Sequence, residues 1–316
     1  MSMRLPSLED IYAAAARIAP HAVVTPVLHN PALDAMVGAQ LYFKCENLQR
    51  GGAFKFRGAC NAVWSLSEEQ AARGVVTHSS GNHGNALALA AATRGMAAHV
   101  VVPEGAVRAK LEAIEQAGAV LHRCAPTIAA REAKAAEVMH ATGATMVHPY
   151  ADARVMAGQG TLVLELLRQS QGLDVIVTPV GGGGLMSGSA IAAHGIDPAI
   201  AMVGAEPAGA ADAFQSLARG ARIDAFVPDT LCDGLRALIG EPNLEALREH
   251  RVDIITVSDE ETIAAMKLLW QTLKLVVEVS SATVLAAVLK QRERFAGRRV
   301  GLVLTGGNVD IDALPW

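Results

Sequence analysis

The chain has 316 residues, 51% of them hydrophobic and 18% charged, which is enough for two modest domains or one large α/β domain. A formal net charge of −4 at pH 7 argues against nucleic acid or an anionic membrane as a partner. The N-terminus lacks the pattern of a targeting peptide, and no stretch reaches the ~18 consecutive apolar residues of a membrane span. The four cysteines form no CxxC pair, which favours reduced thiols in a cytoplasmic protein.

The first predicted element is an amphipathic helix that begins after Ser7, the expected N-cap, with Glu9 and Asp10 in its first turn. From about residue 74 onward, short Val-rich runs bounded by glycine or proline alternate with Ala-rich helical stretches. The runs predict strands at VVTHS (75–79), AHVVVP (98–103), AVLHRC (119–124), ATMVHP (144–149), DVIVTPV (174–180), AMVGAEP (201–207) and RVGLVLTGG (299–307).

This alternation predicts an α/β fold with mostly parallel sheets covered by helices on both faces. The four strands between 75 and 148 would form a small separate sheet. The later strands would form a second sheet, joined by the N-terminal part. We therefore expect a large domain made of 1–73 and 150–316, and a small mobile domain made of 74–149.

Four consecutive glycines, in VGGGGLMSGSA at 180–190, directly follow a predicted strand. Glycine loses the most entropy on ordering, so the run is not favoured in a sheet or a helix. Its backbone N–H groups can instead approach an anion closely at the start of the next helix. The segment is neither a P-loop nor a dinucleotide turn. A tight turn is the alternative, but one glycine usually suffices there, so we favour a phosphate site.

Two further polar segments end predicted strands. THSSGNHGNALALA (77–90) combines hydroxyls and amides at a helix start, where they could bind a carboxylate. Ordinary N-capping needs only one such residue, so N-capping alone does not account for the whole cluster. The segment RVGLVLTGGNVD (299–310) also runs from a strand into glycines. A β-turn explains this pattern as well as a binding site does.

Lys55 lies between Phe54 and Phe56 in FKCENLQRGGAFKFRGACNAV, a stretch that should be partly buried. Apolar surroundings disfavour the ammonium form and make the lysine a better imine-forming amine. An exposed lysine flanked by inward-facing phenylalanines is the simpler interpretation. The accompanying phosphate segment favours the reactive amine.

Six segments, in this order and spacing, resemble the fold-type II pyridoxal-phosphate enzymes: GGAFKFRGACNA, SSGNHGNALA, HPYADARVMAGQGT, PVGGGGLMSG, GAEP and LTGGNVD. They resemble above all serine racemase and the short-form serine/threonine dehydratases, from residue 25 to Asp310. The resemblance implies two open, twisted, tryptophan-synthase-β-like sheets, with the cofactor in the large domain. It also implies a homodimer that acts on an amino acid.

The resemblance implies a cofactor role for each matching position. Lys55 would hold pyridoxal 5′-phosphate as a Schiff base and shuttle the α-proton, with Phe54 packed beside the pyridine ring. Asn82 would hydrogen-bond the ring hydroxyl, and Thr305 would meet the ring nitrogen. Five consecutive residues would cradle the phosphate: Gly181, Gly182, Gly183, Gly184 and Leu185.

The resemblance also implies substrate contacts. Ser80 would stand on the face of the substrate opposite Lys55, where a racemase needs a second acid or base. Ser79, His83 and Arg131 would contact the carboxylate side of the substrate, and Ser80 would also bind the substrate.

The family usually has serine where Thr305 stands, which conserves the hydroxyl. A hydroxyl does not hold the ring nitrogen protonated as a carboxylate does, so a long-lived carbanion is less stabilised and loss of a β-hydroxyl competes well. Residues 278–282 read EVSSA, where relatives commonly have proline after the acid. Val279 lacks the proline constraint, which would reshape the region near the cofactor.

Glu206, Ala210 and Asp212 match the metal-binding segment of racemase-like members of the family. Two carboxylates and a carbonyl suit a hard cation such as Mg²⁺ or Ca²⁺. By pattern alone, two solvated acids beside a helix start would be the better interpretation; the resemblance favours the metal.

The sequence therefore predicts a cytoplasmic L-serine/L-threonine ammonia-lyase that releases a 2-oxo acid and ammonia. Three alternatives remain open. They are an amino-acid racemase on the same scaffold, a dehydratase of a bulkier 3-hydroxy amino acid such as hydroxyaspartate or phenylserine, and a binding protein that retains only the phosphate site.

Overall fold

The computed structural model describes residues 4–316, apart from the side chain of Ala109. The described residues form ten strands: β1 (Val27–His29), β2 (Gln40–Cys45), β3 (Val75–Thr77), β4 (Ala98–Pro103), β5 (Val120–Cys124), β6 (Thr145–Met146), β7 (Val175–Pro179), β8 (Ala201–Pro207), β9 (Asp253–Val257) and β10 (Arg299–Leu304). They form two separate sheets.

The helices follow the strands in alternation along most of the chain. They are α1 (Leu8–Ile18), α2 (Pro31–Val37), α3 (Lys55–Trp64), α4 (Glu68–Arg73), α5 (Asn82–Thr93), α6 (Arg108–Gln116), α7 (Ile128–Thr142), α8 (Ala153–Gln169), α9 (Gly184–Ile196), α10 (Asp212–Arg219), α11 (Glu241–Glu249), α12 (Asp259–Leu273), α13 (Val279–Lys290) and α14 (Arg292–Phe295). Ser7 caps α1, as the sequence predicts, and it also forms a capping box with Asp10.

The larger sheet has the strand order β1-β2-β10-β7-β8-β9. Its neighbouring pairs are parallel except for the edge pair β1–β2. One face packs against α2, α12 and α13, and the other against α1, α8, α9 and α11. The nearly continuous burial of β7 and β8 follows from this two-sided cover.

The smaller sheet is fully parallel and has the order β5-β4-β3-β6. Helices α5 and α6 cover one face together with α3, and α7 covers the other. The α/β class with two mostly parallel sheets and helices on both faces is therefore confirmed. Because α3 precedes residue 74 and packs on this sheet, the domain boundary at 73/74 stays a prediction. Residues 1–3 of the predicted large domain lie outside the described part of the chain.

The strand predictions needed correction in two respects. The strand predicted at 144–149 is only two residues long, because the chain turns away after Met146 and carries Val147 and Pro149 toward the candidate site. Strands β1, β2 and β9 were not predicted. In β2 the buried Lys44 interrupts the apolar pattern.

Within residues 4–316, none of the helices combines the length and apolar composition needed to cross a bilayer.

Candidate active site

Two glycine-marked segments leave the large sheet at the same edge. Strands β7 and β10 are parallel neighbours, so the segments that follow them emerge side by side. Ala53, just before α3, forms a bridge with Gly306 after β10. The N–H of Phe54 donates to the carbonyl of Thr305 at 2.9 Å. These contacts fix the start of α3 beside the end of β10.

Lys55 is the first residue of α3, and its side chain donates to the carbonyl oxygen of Pro149 at 2.9 Å. Burial lowers the pKa of Lys55 to about 8, and the charge of Glu278 opposes this shift. Its Nζ lies 5.1 Å from the centre of the Phe54 ring. An amine with this pKa is unprotonated in an appreciable fraction of molecules near neutral pH, and the unprotonated amine is the form that attacks a carbonyl.

The glycine segment between β7 and α9 leaves a helix N-terminus open. Gly183 has a φ of 88°, and no side chain caps α9. The first N–H groups of a helix have no partner within it, so they can bind an anion. A Cβ atom on Gly182 would overlap the ring of Tyr150. Since Tyr150 follows Pro149, one short segment contacts both the Lys55 amine and the anion site.

The side chain of Asn82, the first residue of α5, is held from two sides. Its Nδ2 donates to both carboxylate oxygens of Glu278, at 3.0 and 3.1 Å. Its Oδ1 accepts a hydrogen bond of 2.9 Å from Nδ2 of Asn308. Glu278 is buried, and burial raises its pKa to about 7. The orientation of the Asn82 amide is therefore set by α13 and by the segment after β10.

Thr305 is buried immediately after β10. Its hydroxyl lies 3.0 Å from the hydroxyl of Ser281. Ser281 also donates to the carbonyl of Gly306 at 2.8 Å and accepts from its N–H at 2.7 Å. The position predicted to meet the ring nitrogen is thus a neutral hydroxyl that is oriented by a second hydroxyl.

Three predicted substrate residues lie at the start of α5. Ser79 and Ser80 precede the helix and are partly exposed. His83 is buried, with Nε2 3.3 Å from the carbonyl oxygen of Val147. A carbonyl only accepts, so Nε2 carries the proton. Burial, followed by the charge of Lys55, keeps the pKa of His83 well below its usual range. The neutral ring then offers only an acceptor, Nδ1, which does not suit the predicted carboxylate contact.

Arg131 lies on α7, on the side of the site that holds His78 and Tyr150. Burial lowers the pKa of His78 and raises that of Tyr150, and the charge of Arg131 acts on both groups. Its Nε is buried and has no hydrogen-bond partner among the described residues. His148 packs edge-on to Tyr150, with ring centres 4.6 Å apart, and burial lowers its pKa to about 4. Arg131 therefore places a positive charge, with an Nε–H group that has no acceptor within the described chain, on the side of the site that holds His78 and Tyr150.

The two acids predicted to bind a metal are both buried. The oxygens of Glu206 accept hydrogen bonds from the N–H groups of Ala213 and Phe214, at 3.0 and 2.9 Å. Oδ2 of Asp212 accepts from the N–H of Ile239 at 2.7 Å. Burial raises the pKa of Glu206 to about 8 and that of Asp212 to about 6.

These acids fit a hard cation only in part. Oδ1 of Asp212 is buried and has no partner in the described part of the chain, which suits a missing ligand. The same part contains no group of three or more His, Cys, Asp or Glu side chains that could hold a metal. The remaining ligands would have to be backbone carbonyls, such as that of Ala210, and water.

Sequence reasoning did not identify Glu278, Ser281, Asn308 or Tyr150 as site residues. The acid of EVSSA was a usable signal, because a carboxyl that precedes a buried helix start needs a partner. Its partner, Asn82, lies 196 positions away in the sequence. That pairing required the fold.

Comparisons with known proteins identify the family of this chain. The family model described as pyridoxal-phosphate dependent enzyme matches residues 18–306. A β-hydroxyaspartate dehydratase of Paracoccus denitrificans is 46% identical over 314 residues, which cover 99% of this chain and 100% of that protein. A serine racemase of Arabidopsis thaliana is 48% identical over 303 residues, which cover 94% of this chain and 92% of that protein. The solved structure of maize serine racemase has a TM-score of 0.95 at 43% identity and covers 98% of this chain and 95% of that one.

Proposed function

Because the chain belongs to the family of pyridoxal-phosphate-dependent enzymes, with the fold-type II architecture, we propose that it is an ammonia-lyase for 3-hydroxy amino acids. L-Serine and L-threonine are the first candidates. The reaction removes the α-proton and the β-hydroxyl and yields a 2-oxo acid and ammonia.

The described residues fit the cofactor. The open N-terminus of α9 suits its phosphate, and the partly buried Lys55 amine suits its aldehyde. The two sites are adjacent, because Pro149 contacts the Lys55 amine and the next residue, Tyr150, packs against Gly182. When bound, pyridoxal phosphate supplies an electron sink that acidifies the α-carbon of an amino acid. Phe54 would pack beside its ring, and Asn82 would hydrogen-bond its ring hydroxyl.

Lys55 would then act as the base. An amine with a pKa of about 8 can accept the α-proton and release it again near neutral pH. The N-terminus of α5, with Ser79 and Ser80, would bind the α-carboxylate through N–H and hydroxyl donors. The product of water loss is an unsaturated amine, and water hydrolyses it to the 2-oxo acid and ammonia.

The observation that carries the elimination is the pair Thr305–Ser281. A hydroxyl at 3.0 Å from a second hydroxyl supplies no negative charge to keep a ring nitrogen protonated. A cofactor ring bound beside this pair would be a weaker electron sink, which would favour prompt departure of a β-hydroxyl.

A second candidate substrate is 3-hydroxyaspartate. The unused Nε donor of Arg131 could pair with a second carboxylate, because arginine matches carboxylates in a planar, charge-assisted geometry. The dehydratase relative from Paracoccus carries that substrate in its name. Serine and threonine leave this donor without an anionic partner.

Racemisation is the third candidate activity, supported by the names of several relatives. It needs a proton donor on the face of the substrate opposite Lys55. We assign that role to Ser80, which lies before the N-terminus of α5.

Several further assignments follow from the family resemblance. We propose a cytoplasmic homodimer in which 74–149 forms a small mobile domain over the large one. We also propose that Glu206, Asp212 and the Ala210 carbonyl take up Mg²⁺ or Ca²⁺.

A substrate panel tests the proposed function. The parent protein and an Arg131→Gln variant would be supplied with L-serine, L-threonine, 3-hydroxyaspartate and D-serine, and both 2-oxo acid and D-isomer would be measured. We expect 2-oxo acid from at least one L-hydroxy amino acid. A kcat/KM for hydroxyaspartate that falls at least tenfold more than that for serine in the variant would select the dicarboxylic substrate. Absence of 2-oxo acid from the whole panel would refute the lyase.

A further inference from the structure

Three buried charged side chains and one partly buried one form a closed network behind α3. They are Lys44, Glu46, Arg57 and Glu165, and their side chains are 0%, 0%, 1% and 18% exposed. The two positive and two negative charges balance. None of the four takes part in the chemistry assigned above.

Arg57 is the centre of this network. Its guanidinium donates to Glu46 through Nε at 2.7 Å and Nη2 at 2.8 Å. It donates to Glu165 through Nη1 at 2.7 Å and Nη2 at 2.8 Å. It therefore makes two bidentate carboxylate pairs at once, and the carbonyl of Val23 accepts a further bond of 3.2 Å. This planar arrangement is specific to arginine.

Lys44 and Glu46, on either side of Arg57, also have further hydrogen-bond partners. Lys44 donates to the carbonyl of Thr25 at 2.7 Å, to Glu165 at 2.6 Å and to Gln169 at 2.9 Å. The hydroxyl of Thr25 donates to Glu46 at 2.6 Å. The network thus ties α3 to β2, to the turn after β2 and to α8.

Such a network is not explained by stability alone. Desolvation of buried ions offsets much of their attraction, and apolar residues of similar volume are often as stable. The best-attested use of buried ion pairs is to fix one register or orientation among several. At this position, the element whose orientation they fix is the first turn of α3.

The geometry of that turn connects Arg57 to Lys55. Residues two positions apart lie about 200° apart around a helix axis, so Arg57 anchors the back of the turn that presents Lys55 at its front. No side chain caps the N-terminus of α3. Helix α8 packs so closely that a Cβ on Gly158 would lie 2.6 Å from the carbonyl oxygen of Arg57.

We propose that Arg57 is a positioning residue: its paired bonds to Glu46 and Glu165 fix the rotation of the first turn of α3 and so aim the Lys55 amine at Pro149 and the anion site. The proposal rests on the proposed function only in that Lys55 is the working amine. A residue that merely stabilised the fold would affect the melting temperature and leave the properties of Lys55 unchanged.

The test compares Arg57→Lys with a matched destabilised control, Ile255→Ala. Arg57→Lys keeps the charge but loses the paired geometry, whereas Ile255 is a buried residue of β9 on a distant edge of the sheet. In the full-length protein before addition of cofactor, acylation of Lys55 would be followed by mass spectrometry across pH, alongside the melting temperature. With cofactor, kcat and KM would be measured separately.

In Arg57→Lys we expect the midpoint of Lys55 labelling to rise by about one pH unit, because a misdirected amine is less buried. We expect kcat to fall about tenfold with KM within about twofold of the parent. Ile255→Ala should lower the melting temperature and leave the midpoint of Lys55 labelling and kcat unchanged. If Arg57→Lys does not fold, Glu165→Gln removes one carboxylate pair and should shift the midpoint in the same direction.

The proposal would be overturned if Arg57→Lys or Glu165→Gln folds and its Lys55 is labelled with the same midpoint as in the parent. It would also be overturned if Ile255→Ala shifts the midpoint by the same amount. Failure of the proposed function would show differently. The parent would then form no linkage between Lys55 and pyridoxal phosphate, while the labelling comparison would still decide the role of Arg57.

Discussion

Asn82 and Glu278 are joined by a two-point hydrogen bond, with Nδ2 of the amide 3.0 and 3.1 Å from the two carboxylate oxygens. The pair links α5, which packs on the small sheet, to the start of α13, which packs on the large one. It therefore holds the residue assigned to the ring oxygen of the cofactor in one orientation across the site.

Replacing Glu278 should change how stability depends on pH. Burial raises its pKa from 4.5 to about 7, so between these values the folded state holds a proton that the unfolded state has released. The free energy of unfolding therefore falls as pH rises from about 4.5 to about 7, by at most roughly 3 kcal/mol. In Glu278→Gln the contribution of Glu278 should be missing, and the remaining fall comes from other buried acids such as Glu206 and Asp212, whose pKa values are also raised. Denaturant unfolding of both proteins at pH 5 and pH 8 measures it, with the exposed Glu104→Gln as control. Equal pH dependence in Glu278→Gln and the parent would show that Glu278 is not the titrating group.

Loading the predicted metal site should stabilise the protein most at alkaline pH. Glu206 and Asp212 have raised pKa values of about 8 and about 6, so above these values the folded state carries two buried negative charges, which destabilise it. A bound divalent cation would compensate both charges. Mg²⁺ or Ca²⁺ at pH 8 should raise the melting temperature, and Asp212→Asn should abolish the response. If neither cation nor chelator moves the melting temperature of the parent, the acids serve only as backbone acceptors and the metal assignment fails.

Substitution of Gly182 should weaken the anion site. A Cβ atom there would overlap the ring of Tyr150, and either the ring or the glycine segment must move. Gly182→Ala should lower the affinity for pyridoxal phosphate at least tenfold, measured by fluorescence titration. Adding Tyr150→Ala should recover part of the loss, because it removes the overlapping ring. An unchanged affinity in Gly182→Ala would place the phosphate elsewhere.

Ser80 should separate racemisation from elimination. Elimination from the L-isomer needs Lys55 and a departing hydroxyl, whereas D-isomer chemistry needs a proton donor on the opposite face. Ser80→Ala should therefore abolish D-serine formation and breakdown and reduce L-serine dehydration much less. Chiral chromatography of the products measures both. Loss of L-dehydration with D-chemistry intact would reverse the assignment of faces.

The sequence predicts the segments that act through their backbone. The glycines at 181–184 and the open start of α9 are local properties of residue type, as is the capping of α1 by Ser7. The placement of Lys55 in apolar surroundings also follows from its neighbours in the chain.

Pairings between distant side chains could not be predicted in this way. Glu278 finds Asn82, and Arg57 finds Glu165 108 positions away, only after the sheets have formed. Strand β2 was missed for the same reason, since its buried Lys44 is satisfied by Glu165 of α8. The predicted contact of His83 with a carboxylate required an N–H group free to donate. In the fold, the N–H group of the neutral ring is at Nε2 and is taken up by the carbonyl of Val147.

The central claim is that Lys55 carries pyridoxal phosphate. The most direct measurement is reduction of the purified protein with borohydride, followed by proteolysis and mass spectrometry of the lysine-containing peptides. The account predicts one pyridoxyl phosphate group per chain, on Lys55, and none in Lys55→Ala. A stoichiometric group on another lysine, or its persistence in Lys55→Ala, would contradict it.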